Sequence, residues 1–235
     1  MLWIIIFAAL LAAAAAMSYL TYREVFRAKR KKQEACLSVT KYSDEENAVI
    51  KRLIEEFREI PAEDVYIRSF DGLLLHGMYY HVADNAPLDI QLHGYNGNAF
   101  RDFCGGNKVS REAGRNSLVV EQRAHGLSQG ETITFGIRER RDCLSWVEYA
   151  IGRFGKDVKI TLAGVSMGAA TVLMAISLGL PENVKAIIAD CGYSSPKAII
   201  RKVARRHHKS LAPCNKARSC QLRRFCAGFC RKLMV

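Results

Sequence analysis

Lys159-Ile160-Thr161-Leu162-Ala163 is a short, largely apolar run. Gly164-Val165-Ser166-Met167-Gly168 follows it directly, and small and apolar residues then continue from Ala169 to Leu178. The first five residues predict a buried strand, and Met167 to Leu178 predict a helix of small side chains. The pentapeptide between them has glycine at the two places where a sharp strand-to-helix turn leaves no room for a Cβ. Such a turn lifts the Ser166 hydroxyl above the carboxyl end of the strand. It also sets the Met167 N–H at a helix N-terminus, facing any negative charge that develops there. Ser166 is therefore the candidate nucleophile, and the Met167 N–H a candidate donor to an oxyanion.

The neighbouring segments alternate around this turn. Ser43-Asp44-Glu45-Glu46 has the form of a capping box, opening a helix that runs to about Ile60 and stops at Pro61. Val49, Leu53, Ile54 and Phe57 fall on one of its faces. Val65–Phe70 and Leu73–Tyr80 read as a hairpin turned by Asp71-Gly72. Further strands are predicted at Leu88–Leu92, Ser117–Glu121 and Val184–Asp190. Helical stretches lie between them, one ending at Ala113 and one carrying Ile137, Leu144, Val147, Ile151 and Phe154 ahead of Gly155. A hairpin leading into strands and helices that alternate every 30 residues or so (about the length of a βαβ unit) gives an α/β fold with a mostly parallel sheet flanked by helices.

His93-Gly94-Tyr95-Asn96-Gly97-Asn98 closes the strand Leu88–Leu92, where a second oxyanion donor is expected, and the Tyr95 backbone N–H is assigned that role. With Gln122-Arg123-Ala124-His125-Gly126-Leu127-Ser128-Gln129-Gly130, the turn at Ser166, and Asp190-Cys191-Gly192-Tyr193-Ser194-Ser195-Pro196, these segments have a specific order and spacing. Residues 65–195 resemble the N-terminal two-thirds of an α/β-hydrolase, in the branch of serine-aminopeptidase-like and lysophospholipase-like enzymes. The resemblance implies an α/β-hydrolase fold and a serine hydrolase acting on small esters or amides through an acyl-serine, with no cofactor and no metal. It also implies that His93 and His125 are structural, and that Glu121 stands where relatives usually have Asp.

The same resemblance implies a triad in chain order Ser, acid, His, with a lid after the strand ending at Asp190. Forty-five residues follow Asp190, and none is Asp or Glu. The late histidines, His207 and His208, lie in a solvated basic run, and Asp190 itself is read as a loop anchor rather than a substitute acid. The lid, the last strands, and the acid and base are thus expected to be missing, leaving a truncated domain of weak or no activity. Residues 201–235 hold eleven basic and no acidic residues, whereas residues 1–200 hold 24 basic and 23 acidic. Cys214, Cys220, Cys226 and Cys230 lack the close pairs of a zinc site. This abrupt change of composition is what a reading-frame shift near residue 200 produces. The rival reading is a membrane-tethered, non-catalytic pseudo-hydrolase that binds a polyanionic partner through the basic tail.

The charge of +12 therefore belongs to the tail and is no sign of a specific nucleic-acid partner. Leu2 to Leu20 carry no charge and are long enough as a helix, about 28 Å, to cross a bilayer core. Arg23, Arg27 and Lys29-Arg30-Lys31-Lys32 follow, so the positive-inside rule keeps the domain cytoplasmic on a single-pass anchor in the cell membrane. The expected organisation is an anchor over 1–22, a basic juxtamembrane linker over 23–42, the incomplete domain over 43–200 and the tail over 201–235. No oligomeric state is read from the sequence.

Overall fold

A computed structural model describes residues 1–28 and 43–210, with side chains to residue 205. The chain divides into two compact units, residues 1–196 and 197–235. In the first, helix α1 (Leu2–Phe26) precedes α2 (Asp44–Glu59), then β1 (Glu63–Arg68), β2 (Leu74–Tyr80) and β3 (Leu88–Leu92). Helix α3 (Ala99–Glu112), β4 (Asn116–Val120), α4 (Glu139–Phe154), β5 (Ile160–Val165), α5 (Met167–Ala175) and β6 (Val184–Asp190) follow. A short 3-10 turn, Ile176–Leu178, extends α5. The second unit begins with α6 (Pro196–Ser210, its first residue in the first unit), where the sequence predicted only a basic tail. The cysteines Cys214 to Cys230 lie outside the described residues.

The sheet order is β1-β2-β4-β3-β5-β6. β1, β2 and β4 pair antiparallel, and β4, β3, β5 and β6 pair parallel. Every residue of β3 and β4 is buried, as expected of central parallel strands covered on both faces. Their polar members are satisfied in part: the Asp89 carboxylate accepts from Arg115 and Ser110, and Gln91 donates to Ser110, whereas Gln91 Oε1 and Ser117 Oγ are buried without a partner among the described residues. One face packs Leu88, Ile90, Leu118 and Leu162 against Cys143, Trp146, Val147 and Ala150 of α4. The other packs Met78, Tyr80 and Val119 against Ile54 and Phe57 of α2 and Phe103 of α3. The capping box at Ser43 forms in full and starts α2 where the sequence placed it. Among the described residues β6 pairs with β5 only, and its Ile188 is 58% exposed.

α1 is continuous through Phe26, six residues past the apolar run, and none of its residues is buried. At Arg27 the chain becomes extended and forms an antiparallel bridge to Thr132. The Ala28 N–H donates to the Glu131 carbonyl (2.8 Å), and the Ile133 N–H donates to that of Phe26 (2.8 Å). The Phe26 ring meets that of Phe135 edge-on at 5.5 Å, and Arg27 pairs with Glu131 at 3.2 Å. Residues 29–42, the remainder of the expected linker, lie outside the described residues.

Candidate active site

Ser166 joins β5 to α5 with φ 54° and ψ −105°, a backbone conformation that side-chain-bearing residues rarely adopt. The surrounding backbone holds it there. Its N–H donates to the Asp190 carbonyl (2.8 Å), and its carbonyl accepts from the Ala170 N–H (3.1 Å). A Cβ on Gly168 would run into the Leu92 carbonyl, and one on Gly164 into the Gly168 backbone. Both glycines are therefore required by close approach of β3, β5 and α5. Asp190 enters the site through its carbonyl, at the end of β6.

The end of β3 forms the adjoining wall. A Cβ on Gly94 would stand 3.4 Å from the Ser166 Cβ. In the turn after it, the Gly94 N–H donates to Asp102 Oδ2 (2.8 Å), the Asn96 N–H to His125 Nε2 (3.2 Å) and the Gly97 N–H to the Gly94 carbonyl (3.0 Å). Arg101 holds the other oxygen of Asp102. Among the described residues the Tyr95 N–H has no acceptor, so of the four N–H groups from Gly94 to Gly97 it alone can serve a ligand. Met167 is the first residue of α5, where an N–H has no carbonyl one turn earlier. Met167 follows Ser166 directly, and Gly94, the neighbour of Tyr95, packs against the Ser166 Cβ.

Both nearby imidazoles are committed to backbone. His93 Nδ1 lies 2.9 Å from the Gly94 carbonyl, and its Nε2 accepts the Gln122 N–H at 3.1 Å. Its one proton is therefore on Nδ1, and burial holds its pKa below the ordinary histidine value. His125 has the same arrangement, Nδ1 toward the Arg123 carbonyl and Nε2 toward the Asn96 N–H. These bonds tie the Tyr95 turn to the segment after β4, and the two rings meet edge-on at 4.6 Å. No hydrogen bond joins the Ser166 hydroxyl to an imidazole or a carboxylate among the described residues. His207 and His208 have side chains outside them. No three His, Cys, Asp or Glu side chains among the described residues converge to hold a metal ion.

Two buried charge clusters brace the segment from Glu121 to Gly130, and neither was read from the sequence. His76 Nδ1 lies 2.8 Å from Glu121 Oε2, and its Nε2 lies 2.9 Å from Asp64 Oδ1. Burial disfavours the charged ring, but its hydrogen bonds to Glu121 and Asp64 outweigh that and raise the pKa. Glu121 also accepts the Leu127 N–H (2.6 Å), and a Cβ on Gly126 would strike its carboxylate. Arg123, 2% exposed at the side chain, makes a bidentate pair with Asp142 (2.6 and 2.7 Å) and a second with Asp71 (2.9 and 3.0 Å). The Arg123 hydrogen bonds, countered in part by burial, hold the Asp71 carboxyl down to about 2. His76, Arg123 and their partners lie 12 to 52 residues apart in sequence, so spacing carries no sign of them.

No family model matches the chain. An uncharacterized protein of Bacillus subtilis (strain 168), YqkD, is 28% identical over 167 residues, covering 67% of this chain and 53% of that protein. Among solved structures, the Pyrococcus furiosus esterase Pf2001 superposes with a TM-score of 0.57 at 24% identity, over 66% of this chain and 60% of the esterase. The α/β hydrolase GrgF from Penicillium sp. sh18 gives a TM-score of 0.52 at 23% identity, over 64% of this chain and 54% of that protein. The chain thus spans between half and three-fifths of the length of these relatives. A hairpin leading into a parallel sheet, a strained serine turn between β5 and α5, and these structural neighbours together identify the fold as that of the α/β-hydrolases.

Proposed function

We propose that the chain is a serine hydrolase of esters or amides, working through an acyl-serine on Ser166. In this reaction the Ser166 Oγ attacks the carbonyl carbon, and the oxyanion is held by the N–H groups of Tyr95 and Met167. Collapse expels the alcohol or amine, and water then cleaves the acyl-serine to release the acid and restore Ser166. The observation that carries the reading is the unpartnered Tyr95 N–H beside a serine held at φ 54°. An esterase among the structural neighbours supports it at the level of the fold.

The proposal includes impairment. With no imidazole or carboxylate on the Ser166 hydroxyl among the described residues, nothing there takes its proton during attack. Oxyanion binding alone leaves an acceleration of roughly 10³–10⁴ over water. Added imidazole is therefore expected to raise ester hydrolysis by the full chain in proportion to its concentration, beyond the increment seen with Ser166→Ala. Equal rates for the two proteins at every imidazole concentration would contradict the hydrolase reading. A fast Ser166-dependent rate that imidazole leaves unchanged would contradict the impairment alone.

α1 is long and apolar enough to cross a membrane. With the basic residues after it, this supports a single-pass anchor in the cell membrane and a cytoplasmic domain. The eleven basic residues of 201–235 favour a second reading, a tethered pseudo-hydrolase that binds a polyanion. That reading requires salt-dependent binding to anionic vesicles that is lost when residues 201–235 are removed.

A further inference from the structure

The end of α1 is docked on the loop between β4 and α4, and it touches one residue of the candidate site directly. The Tyr95 hydroxyl donates to the Val25 carbonyl (2.7 Å), and the Tyr95 ring stacks on Phe135 at 5.0 Å. Phe135 in turn meets Phe26, and the Tyr22 hydroxyl lies 3.1 Å from Thr132 Oγ1. Ala28, Tyr95 and Tyr193 pack together against buried Ala124, Ile133 and Met167. Tyr95 therefore offers its N–H at the site and its hydroxyl to the anchor. Val25 lies five residues beyond Leu20, about 8 Å along the helix from the end of the apolar run. Leu127 and Ile137, 64% and 54% exposed, belong to the same connection that receives the anchor.

We propose that the site opens at the membrane surface and takes as its substrate an acyl ester resident in the bilayer, the docked end of α1 holding the Tyr95 turn at the headgroup level. This rests on the serine-hydrolase reading and on α1 as the anchor. An anchor docked beside the site favours a substrate that shares the membrane with the enzyme, since both are then confined to one interface. A freely soluble ester gains nothing from that placement. The basic residues Arg23 and Arg27 sit at the exit, suited to an anionic leaflet.

The test does not depend on turnover. The full chain is reconstituted in vesicles of phosphatidylcholine and phosphatidylglycerol containing a phospholipid with a diazirine on its acyl chain, then irradiated and digested. Adducts are expected on peptides carrying Tyr95, Phe135 or Tyr193 as well as on α1. Inserting a flexible Gly/Ser segment of about 20 residues after Leu20, with a reach of roughly 25 Å, is expected to reduce the domain adducts severalfold while those on α1 persist. Adducts confined to α1 in the unmodified chain, or domain adducts untouched by the insertion, would overturn the proposal. Phosphonate labelling of Ser166 in the same sample reads the hydrolase assignment separately, so the two can fail independently.

Discussion

Gly168→Ala is expected to destabilise the domain by more than about 3 kcal/mol. The new Cβ would meet the Leu92 carbonyl and carbon and lie 2.8 Å from the His93 carbonyl, all of them backbone. No side chain can swing aside, so α5 must move away from β3, opening the packing of Met167 and Val172, both fully buried. Overpacking of flexible cores costs about 1–3 kcal/mol, and a backbone collision exceeds that range, against a total stability of about 5–15 kcal/mol. Gly105→Ala is the control. Gly105 lies inside α3 with nothing within 4 Å of its Cβ position, so alanine there stabilises by about 0.5–1 kcal/mol. Denaturant unfolding of the two variants in detergent checks both signs. Equal midpoints would mean that the serine turn is not built as tightly as described.

The second large effect is at Arg123. Arg123→Met removes the partner of Asp142, which is 5% exposed, and also the main partner of Asp71. Breaking a buried pair from one side costs about 3–5 kcal/mol, because the remaining carboxylate is left without compensation. The pair Arg123→Met with Asp142→Leu is expected to recover much of that loss, which distinguishes a stranded charge from lost volume. The acid limb should change as well. In the parent, Asp71 is held at about 2, so its contribution is full above the ordinary carboxylate value and is lost as pH falls toward 2. In Arg123→Met that part of the acid limb should disappear, because Asp71 then titrates nearly alike in the folded and unfolded chain. Unfolding midpoints followed from pH 7 downward measure both, and an unchanged acid limb would show that Arg123 does not hold Asp71.

What could be read in advance follows from the range of the interaction. The capping box at Ser43, the turn at Asp71-Gly72 and the serine turn at 164–168 are local patterns, and the structure has them at those places. The buried strands predicted at 88–92 and 159–163 announced themselves as apolar runs, and the structure has them at 88–92 and 160–165. The antiparallel pairing of β2 with β4 and the strand order came from pairings that no run of residues encodes. The His76 and Arg123 clusters joined residues from separate elements, so only the folded chain shows them. The docking of Phe26–Ala28 on Glu131–Ile133 was hidden because a bridge this short has no periodicity. α6 was hidden for another reason. Its basic composition masked the helical spacing of Ile199, Ile200 and Val203. In the candidate site, the turn that holds Ser166 between β5 and α5 was legible as a sequence pattern. The commitment of His93 and His125 to backbone carbonyls and amides required their actual partners.

The central claim is that Ser166 is a nucleophile facing two prepared N–H donors. Its most direct test is prolonged exposure of the full chain to an alkyl fluorophosphonate, followed by mass spectrometry of the peptide containing Gly164 to Gly168. The expected result is one phosphonyl group on Ser166, formed slowly and accelerated by imidazole, with none on Ser128 or Ser194 and none in Ser166→Ala. Folded protein that stays unmodified at Ser166 after saturating exposure, with and without imidazole, would contradict the account.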